Sequence, residues 1–122
     1  MIPTTYHIGD ADLRPWGRWV VLDKAPRLVV KRLILEPGKR ISLQRHRFRS
    51  ERWILMEGEA TVQRDGETII LRAGDGIMIP QNCLHRLANE SSEEITVLEV
   101  QFGELLSEED IERFDDDFGR HE

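Results

Sequence analysis

Apolar and polar residues alternate through most of the chain in short runs, the period-two pattern of half-buried β-strands. Such runs fall at residues 18–23, 28–35, 41–46, 51–56, 59–64, 67–71, 77–79, 84–88 and 94–102. Breakers separate them: Lys24-Ala25-Pro26, Pro37-Gly38, and the turns around Gly74 and Gly76. Asp65-Gly66 sits between two runs as a hairpin signal. In the last run Ile95, Val97, Glu99 and Gln101 share one face, and Thr96, Leu98, Val100 and Phe102 share the other. The pattern predicts an all-β antiparallel sandwich or small barrel. One late helix is expected: Ser107 with Asp110 three residues on reads as an N-cap signal, and Ile111 and Phe114 supply an apolar stripe.

At 122 residues the expectation is a single domain over 1–122, with an N-terminal arm at 1–13 and an acidic C-terminal helix and tail at 104–122. The formal net charge of -6 is unevenly spread: residues 104–122 hold nine acidic against two basic residues, and the remainder is near neutral. Basic residues are not segregated on an arm or helix, so no nucleic-acid partner is expected. No apolar run reaches the ~20 residues of a membrane span, so no membrane partner is expected, and no signal-peptide pattern is visible at the start. A single cysteine, Cys83, rules out an intrachain disulfide and suits a cytoplasmic setting.

Candidate chemistry concentrates in residues 38–58, G-K-R-I-S-L-Q-R-H-R-F-R-S-E-R-W-I-L-M-E-G. Gln44 and His46 are two apart in an extended run and share a face; Glu51 opens the next run, so a bend at 47–50 would turn both strands toward one centre. His85 follows in G-D-G-I-M-I-P-Q-N-C-L-H-R-L-A-N. One amide oxygen, two imidazoles and one carboxylate form a mixed N/O set suited to one divalent ion: zinc first, with manganese, cobalt, nickel or iron as alternatives. Without metal, a buried Glu51 would require a basic partner, and Arg49 and Arg52 are the candidates. Six basic residues between 39 and 52 read either as a solvated rim paired with the acidic tail or as a site for a phosphate dianion, which fits the guanidinium fork. Cys83, two residues before His85, reads as a small buried thiol or a further ligand.

These two stretches resemble the two motifs of the cupin superfamily, with Gln44 where many cupins carry histidine. More narrowly, the chain resembles the cupin domain of type II mannose-6-phosphate isomerases, usually the C-terminal part of a bifunctional mannose-1-phosphate guanylyltransferase/mannose-6-phosphate isomerase. The matching pieces are R-P-W-G at 14–17, L-E-P-G at 35–38, S-L-Q-R-H at 42–46, I-P-Q-N-C-L-H-R at 79–86 and E-V-Q-F-G at 99–103, with E-E-D-I-E-R-F and D-F-G-R near the end. The resemblance implies a cupin double-stranded β-helix, a jelly-roll barrel, with metal on Gln44, His46, Glu51 and His85. It also implies a phosphosugar or other small anionic ligand and a homodimer.

The family block Q-M-H-H-H-R-S-E-H-W reads here Q-R-H-R-F-R-S-E-R-W. The ligand positions are kept, whereas three neighbouring histidines become Arg47, Phe48 and Arg52. Histidine exchanges protons near neutral pH and arginine does not. Two functions follow as expectations. One is a metal-dependent isomerase converting mannose 6-phosphate to fructose 6-phosphate, with Arg49 and Lys31 as candidate catalytic residues. The other is a non-catalytic metal-binding cupin for a phosphosugar or other anion. Arg49, Arg86, Trp53 and Arg120 are the candidate substrate contacts. On strict alternation Arg86 points away from His85 and Arg52 away from Glu51.

Overall fold

The computed structural model describes residues 6–120. Two antiparallel sheets pack face to face. The first runs β1 (Ala11–Arg14), β2 (Gly17–Ala25), β3 (Leu28–Leu35), β10 (Ile95–Gly103), β5 (Arg49–Glu57) and β8 (Gly76–Ile79) in that spatial order. The second runs β11 (Glu112–Asp115), β4 (Leu43–Arg45), β9 (His85–Ala88), β6 (Glu59–Arg64) and β7 (Glu67–Arg72). Chain order jumps between the sheets, as in the expected jelly roll. Neither sheet closes on itself among the described residues.

The alternation read from sequence is the alternation of burial. In β10, Ile95, Val97, Glu99 and Gln101 all face inward. In β3, Val29, Lys31, Leu33 and Leu35 do so. The core is Trp53, Leu55, Leu35, Ile95, Val97, Leu87 and their neighbours. Most of the buried polar side chains, Lys31, Gln44, His46, Arg49, Glu51, His85, Glu99 and Gln101 among them, line one cavity together with Trp19 and Trp53. Asp65 and Gly66, both at positive φ (47° and 85°), form the tight turn of the β6–β7 hairpin.

The segment 1–13 is partly an edge strand: residues 11–14 pair with β2, and Tyr6 is buried. Residues 1–5 of the expected arm, and 121–122 of the expected tail, lie outside the described residues. The late helix is a correction. Ser107 makes a local turn in which its Oγ accepts from Glu109 N, and β11 then adds to the edge of the second sheet, pairing Glu112 with Arg45 and Arg113 with Gln44. A helix there would be about two turns long, too short to repay nucleation, and would place Asp115, Asp116 and Asp117 at its negative end. On the sheet edge these acids meet arginines: Asp115 accepts from Arg86 Nη1 at 3.0 Å and Asp117 from Arg40 Nε at 2.7 Å, and Glu112 likewise accepts from Arg45 Nε at 2.8 Å. Among the described residues no helix is long and apolar enough to cross a membrane.

Candidate metal centre

A cavity of about 60 Å³ lies between the two sheets. Gln44 and His85 reach it from β4 and β9, where they are cross-strand partners. His46 lies just past the end of β4, and Glu51 and Trp53 come from β5 on the same parity. The bend at 47–48 is held by Asp110, whose carboxylate accepts from the backbone N–H groups of Arg47 and Phe48, both at 2.9 Å. Ligand atoms of His46, Glu51 and His85 lie within 4.8 Å of one another, and all three residues are buried.

The histidines are oriented from behind. His46 Nδ1 is 2.6 Å from Asp110 O, and His85 Nδ1 is 2.9 Å from Cys83 O. A carbonyl can only accept, so each Nδ1 carries the proton and each Nε2 presents a lone pair. His85 Nε2 is buried with no hydrogen-bond partner. Gln44 donates its amide nitrogen to Ser42 O and Oγ, which leaves its amide oxygen as the atom to offer a cation. Burial first, and then the charge of Arg49, pull His46 down to about 4; burial likewise lowers His85. Two neutral imidazoles with aimed lone pairs, one carboxylate and one amide oxygen fit a divalent ion.

Glu51 is closely held. Its Oε2 accepts from Arg49 Nε at 2.8 Å and its Oε1 from Trp53 Nε1 at 2.9 Å. Burial alone would raise its pKa; Arg49 and the two histidines outweigh that and hold it well below the usual carboxylate range. Arg49 also donates to Ser107 O at 3.0 Å, and its Nη2 lies 3.3 Å from His46 Nε2. Arg49 is thus the basic partner posed from the sequence, and Arg52 points outward.

The remaining sequence candidates separate. Lys31 faces the cavity, buried, with Nζ 2.8 Å from Glu108 Oε2. Trp53 is fully buried with its ring 5.5 Å from that of His85. Arg120 stands at the cavity mouth and pairs with Asp116 at 2.9 Å. Arg86 is turned elsewhere, donating to Ile41 O and to Asp115, so it fastens β11 to the sheet. Cys83 contributes its carbonyl to His85; its thiol is raised to about 11 by burial. Of the basic rim, Arg40 and Arg45 pair with the acidic tail.

Glu99, Gln101, Arg14 and Glu108 also line the cavity and were not singled out from sequence. Glu99 and Gln101 had a signal, their place on the Ile95/Val97 face. Burial first, and then the neighbouring Glu51 charge, raise Glu99 to about 8, so it holds a proton that it shares with Glu51, and Gln101 Nε2 donates to it at 2.6 Å.

These groups set an expected pH profile for the metal-free protein. His46 and His85 stay neutral in the fold, so below about pH 6.5 the unfolded chain takes up more protons and stability is lost as pH falls toward about 4. Glu99 has the opposite sign: the native chain keeps its proton, and stability is lost as pH rises from the ordinary carboxylate range to about 8. Two histidines outweigh one carboxyl up to their unfolded value, above which Glu99 acts alone. The urea midpoint should therefore peak near pH ~6.5 and decline by pH ~8. A midpoint that climbs steadily through that range contradicts a protonated Glu99.

A family model described as mannose-6-phosphate isomerase C-terminal matches residues 4–116. The alginate biosynthesis protein AlgA of Pseudomonas aeruginosa is 42% identical over 107 residues, covering 88% of this chain and 22% of that protein. The mannose-1-phosphate guanylyltransferase ManC of Salmonella typhimurium is 36% identical over 115 residues, covering 94% of this chain and 24% of that protein. The chain therefore spans about a quarter of the length of these curated relatives. The cupin domain of Schizosaccharomyces pombe Cnp3 superposes with a TM-score of 0.70 at 12% identity, over 75% of this chain and 68% of that one, a likeness of fold.

Proposed function

Because the chain belongs to the mannose-6-phosphate isomerase C-terminal family of cupin domains, we propose that it is a metal-dependent phosphosugar isomerase that interconverts mannose 6-phosphate and fructose 6-phosphate. The observation that carries this reading is the convergence of His46, Glu51 and His85 in one buried cavity, with both Nε2 lone pairs aimed into it. In this reading Gln44, His46, Glu51 and His85 hold one divalent ion, zinc first. When bound, such an ion supplies Lewis-acid polarisation to a carbonyl oxygen.

The chain's own residues do the rest. Arg49 fixes the Glu51 carboxylate and keeps positive charge beside it. Trp53, fully buried, lines the cavity and holds the other oxygen of that carboxylate through its indole N–H. Aldose–ketose exchange moves a proton between adjacent carbons, which requires a group that takes and returns it. Lys31 and Glu99 are the candidates on the cavity wall, opposite one another on the adjacent strands β3 and β10. Arg120 stands at the mouth, where a charged substrate enters.

A second reading, a metal-binding cupin that holds an anionic ligand without turnover, is favoured by Arg49 itself. Its guanidinium already satisfies Glu51 and faces His46 Nε2, so the cluster is stable without an ion. A coupled assay of mannose 6-phosphate isomerisation separates the two. Metal-stripped protein is given zinc, manganese, cobalt, nickel or ferrous ion in turn. Activity that appears with metal and disappears with chelator is the expected result. Bound metal with no turnover under any ion would sink the isomerase and leave the binder.

A further inference from the structure

The cavity is too small for the ligand proposed for it. Its ~60 Å³ falls well short of the ~300–1,000 Å³ of small-molecule sites. What closes it is the segment at residues 104–111. Ser107 O rests on Arg49, Asp110 O on His46, and the Glu108 side chain enters at the mouth.

Within that segment Glu108 is exposed yet meets three buried or half-buried donors. Its Oε2 accepts from Lys31 Nζ at 2.8 Å and from the Tyr6 hydroxyl, and its Oε1 accepts from Arg14 at 3.0 Å. Three donors from β3, the N-terminal segment and β1 thus converge on one carboxylate. Lys31 is built in: its side chain is 2% exposed, with Nζ 4.0 Å from the Trp19 ring centre and 4.2 Å from that of Tyr6. Glu108 is not built in. It lies on a turn, and its side chain is 39% exposed. A buried ammonium whose anionic partner sits on a surface turn is a cation whose partner can be exchanged.

We propose that Lys31, Arg14 and Tyr6 form the site for the anionic group of the ligand, a phosphomonoester in chemical class, and that Glu108 is its intramolecular occupant, displaced when ligand binds. The choice of a sugar phosphate rests on the function proposed above; the exchange of one anion for another rests on the three contacts. The exchange also gives selectivity. Removing Glu108 without replacement would leave the buried Lys31 with the neutral Tyr6 hydroxyl at 3.0 Å and no counter-charge on this side, a large cost, so a neutral sugar cannot open the cavity and an anion can. The same exchange takes the Glu108 side chain out of the cavity and loosens its turn, while Asp110 stays on His46 and the 47–48 bend, and this makes room for the rest of the ligand.

Inorganic phosphate is the probe, titrated calorimetrically at constant ionic strength without metal. Glu108→Gln keeps the shape and removes the competing charge, and should tighten phosphate binding at least about tenfold over wild type. Adding Arg14→Met to that variant should reverse most of the gain. Unchanged affinity in Glu108→Gln, or no effect of Arg14→Met, overturns the proposal. A second readout needs no variant: hydrogen exchange of the wild-type amides at 107–111 should quicken with phosphate and not with chloride, and equal rates overturn the proposal as well. Neither experiment depends on turnover, so an inactive protein would sink the isomerase reading and leave this one standing.

Discussion

Glu51→Gln should abolish the response of the protein to divalent metal and cost about 3–5 kcal/mol of stability, the usual effect of breaking a buried ion pair from one side. Both carboxylate oxygens accept from buried donors, Arg49 Nε and Trp53 Nε1. An amide at the same position must turn its NH2 toward one of them, so a donor faces a donor and Arg49 loses its counter-charge. For a chain of this size the thermal midpoint should fall by roughly 10–20 °C. The wild type should gain about 2.7 kcal/mol when zinc stands at a hundred times its dissociation constant, and the variant should gain nothing. The double variant Arg49→Met, Glu51→Leu separates the two effects. It removes both charges together and should recover much of the stability, because a buried pair is seldom better than well-packed apolar groups. It should recover none of the metal response. A Glu51→Gln protein that still melts higher with zinc would remove Glu51 from the site. One that melts with the wild type would show that the clamp contributes nothing.

The same residues show how far the sequence reaches. Period-two alternation fixes which side chains look inward, and so it placed Gln44, His46, Glu51 and Trp53 on a common interior and turned Arg52 and Arg86 away from the ligands. Arg49 lies on the Glu51 parity, which is why it and not Arg52 became the partner. Alternation says nothing about which inward residues end at the same height in the sandwich. That depends on the β3–β10–β5 register, where Glu99 stands between Lys31 and Trp53. The late helix failed for a related reason. Its signals were local, whereas the segment gains more from the unpaired edge of β4 and from Arg40, Arg45 and Arg86, all distant in sequence. Arg14 and Glu108, 94 positions apart, meet through topology alone.

Gly103 ties that topology to the site, and Gly103→Ala is the second large effect. Gly103 ends β10 opposite Arg49 of β5, at φ +159°. A Cβ there would lie 2.3 Å from Phe48 O and 2.8 Å from Arg49 Cα. Both are backbone atoms of the bend that Asp110 holds, so neither can yield without moving the other. Overcrowding of about 1–3 kcal/mol and backbone strain of similar size should act together, for a loss of about 3–5 kcal/mol in urea denaturation. Gly66→Ala is the control. It shares a positive φ of 85° but meets nothing within 4 Å, so strain alone should cost about 1–2 kcal/mol. The two variants should differ in a further respect. Moving residues 48–49 shifts Arg49, and with it the Glu51 carboxylate, so Gly103→Ala should also weaken zinc binding, whereas Gly66→Ala, at the far hairpin tip, should not. Equal losses of stability, or equal zinc affinities, would show that the approach of β10 to the bend does not position the site, and that Arg49 takes its place from the bend alone.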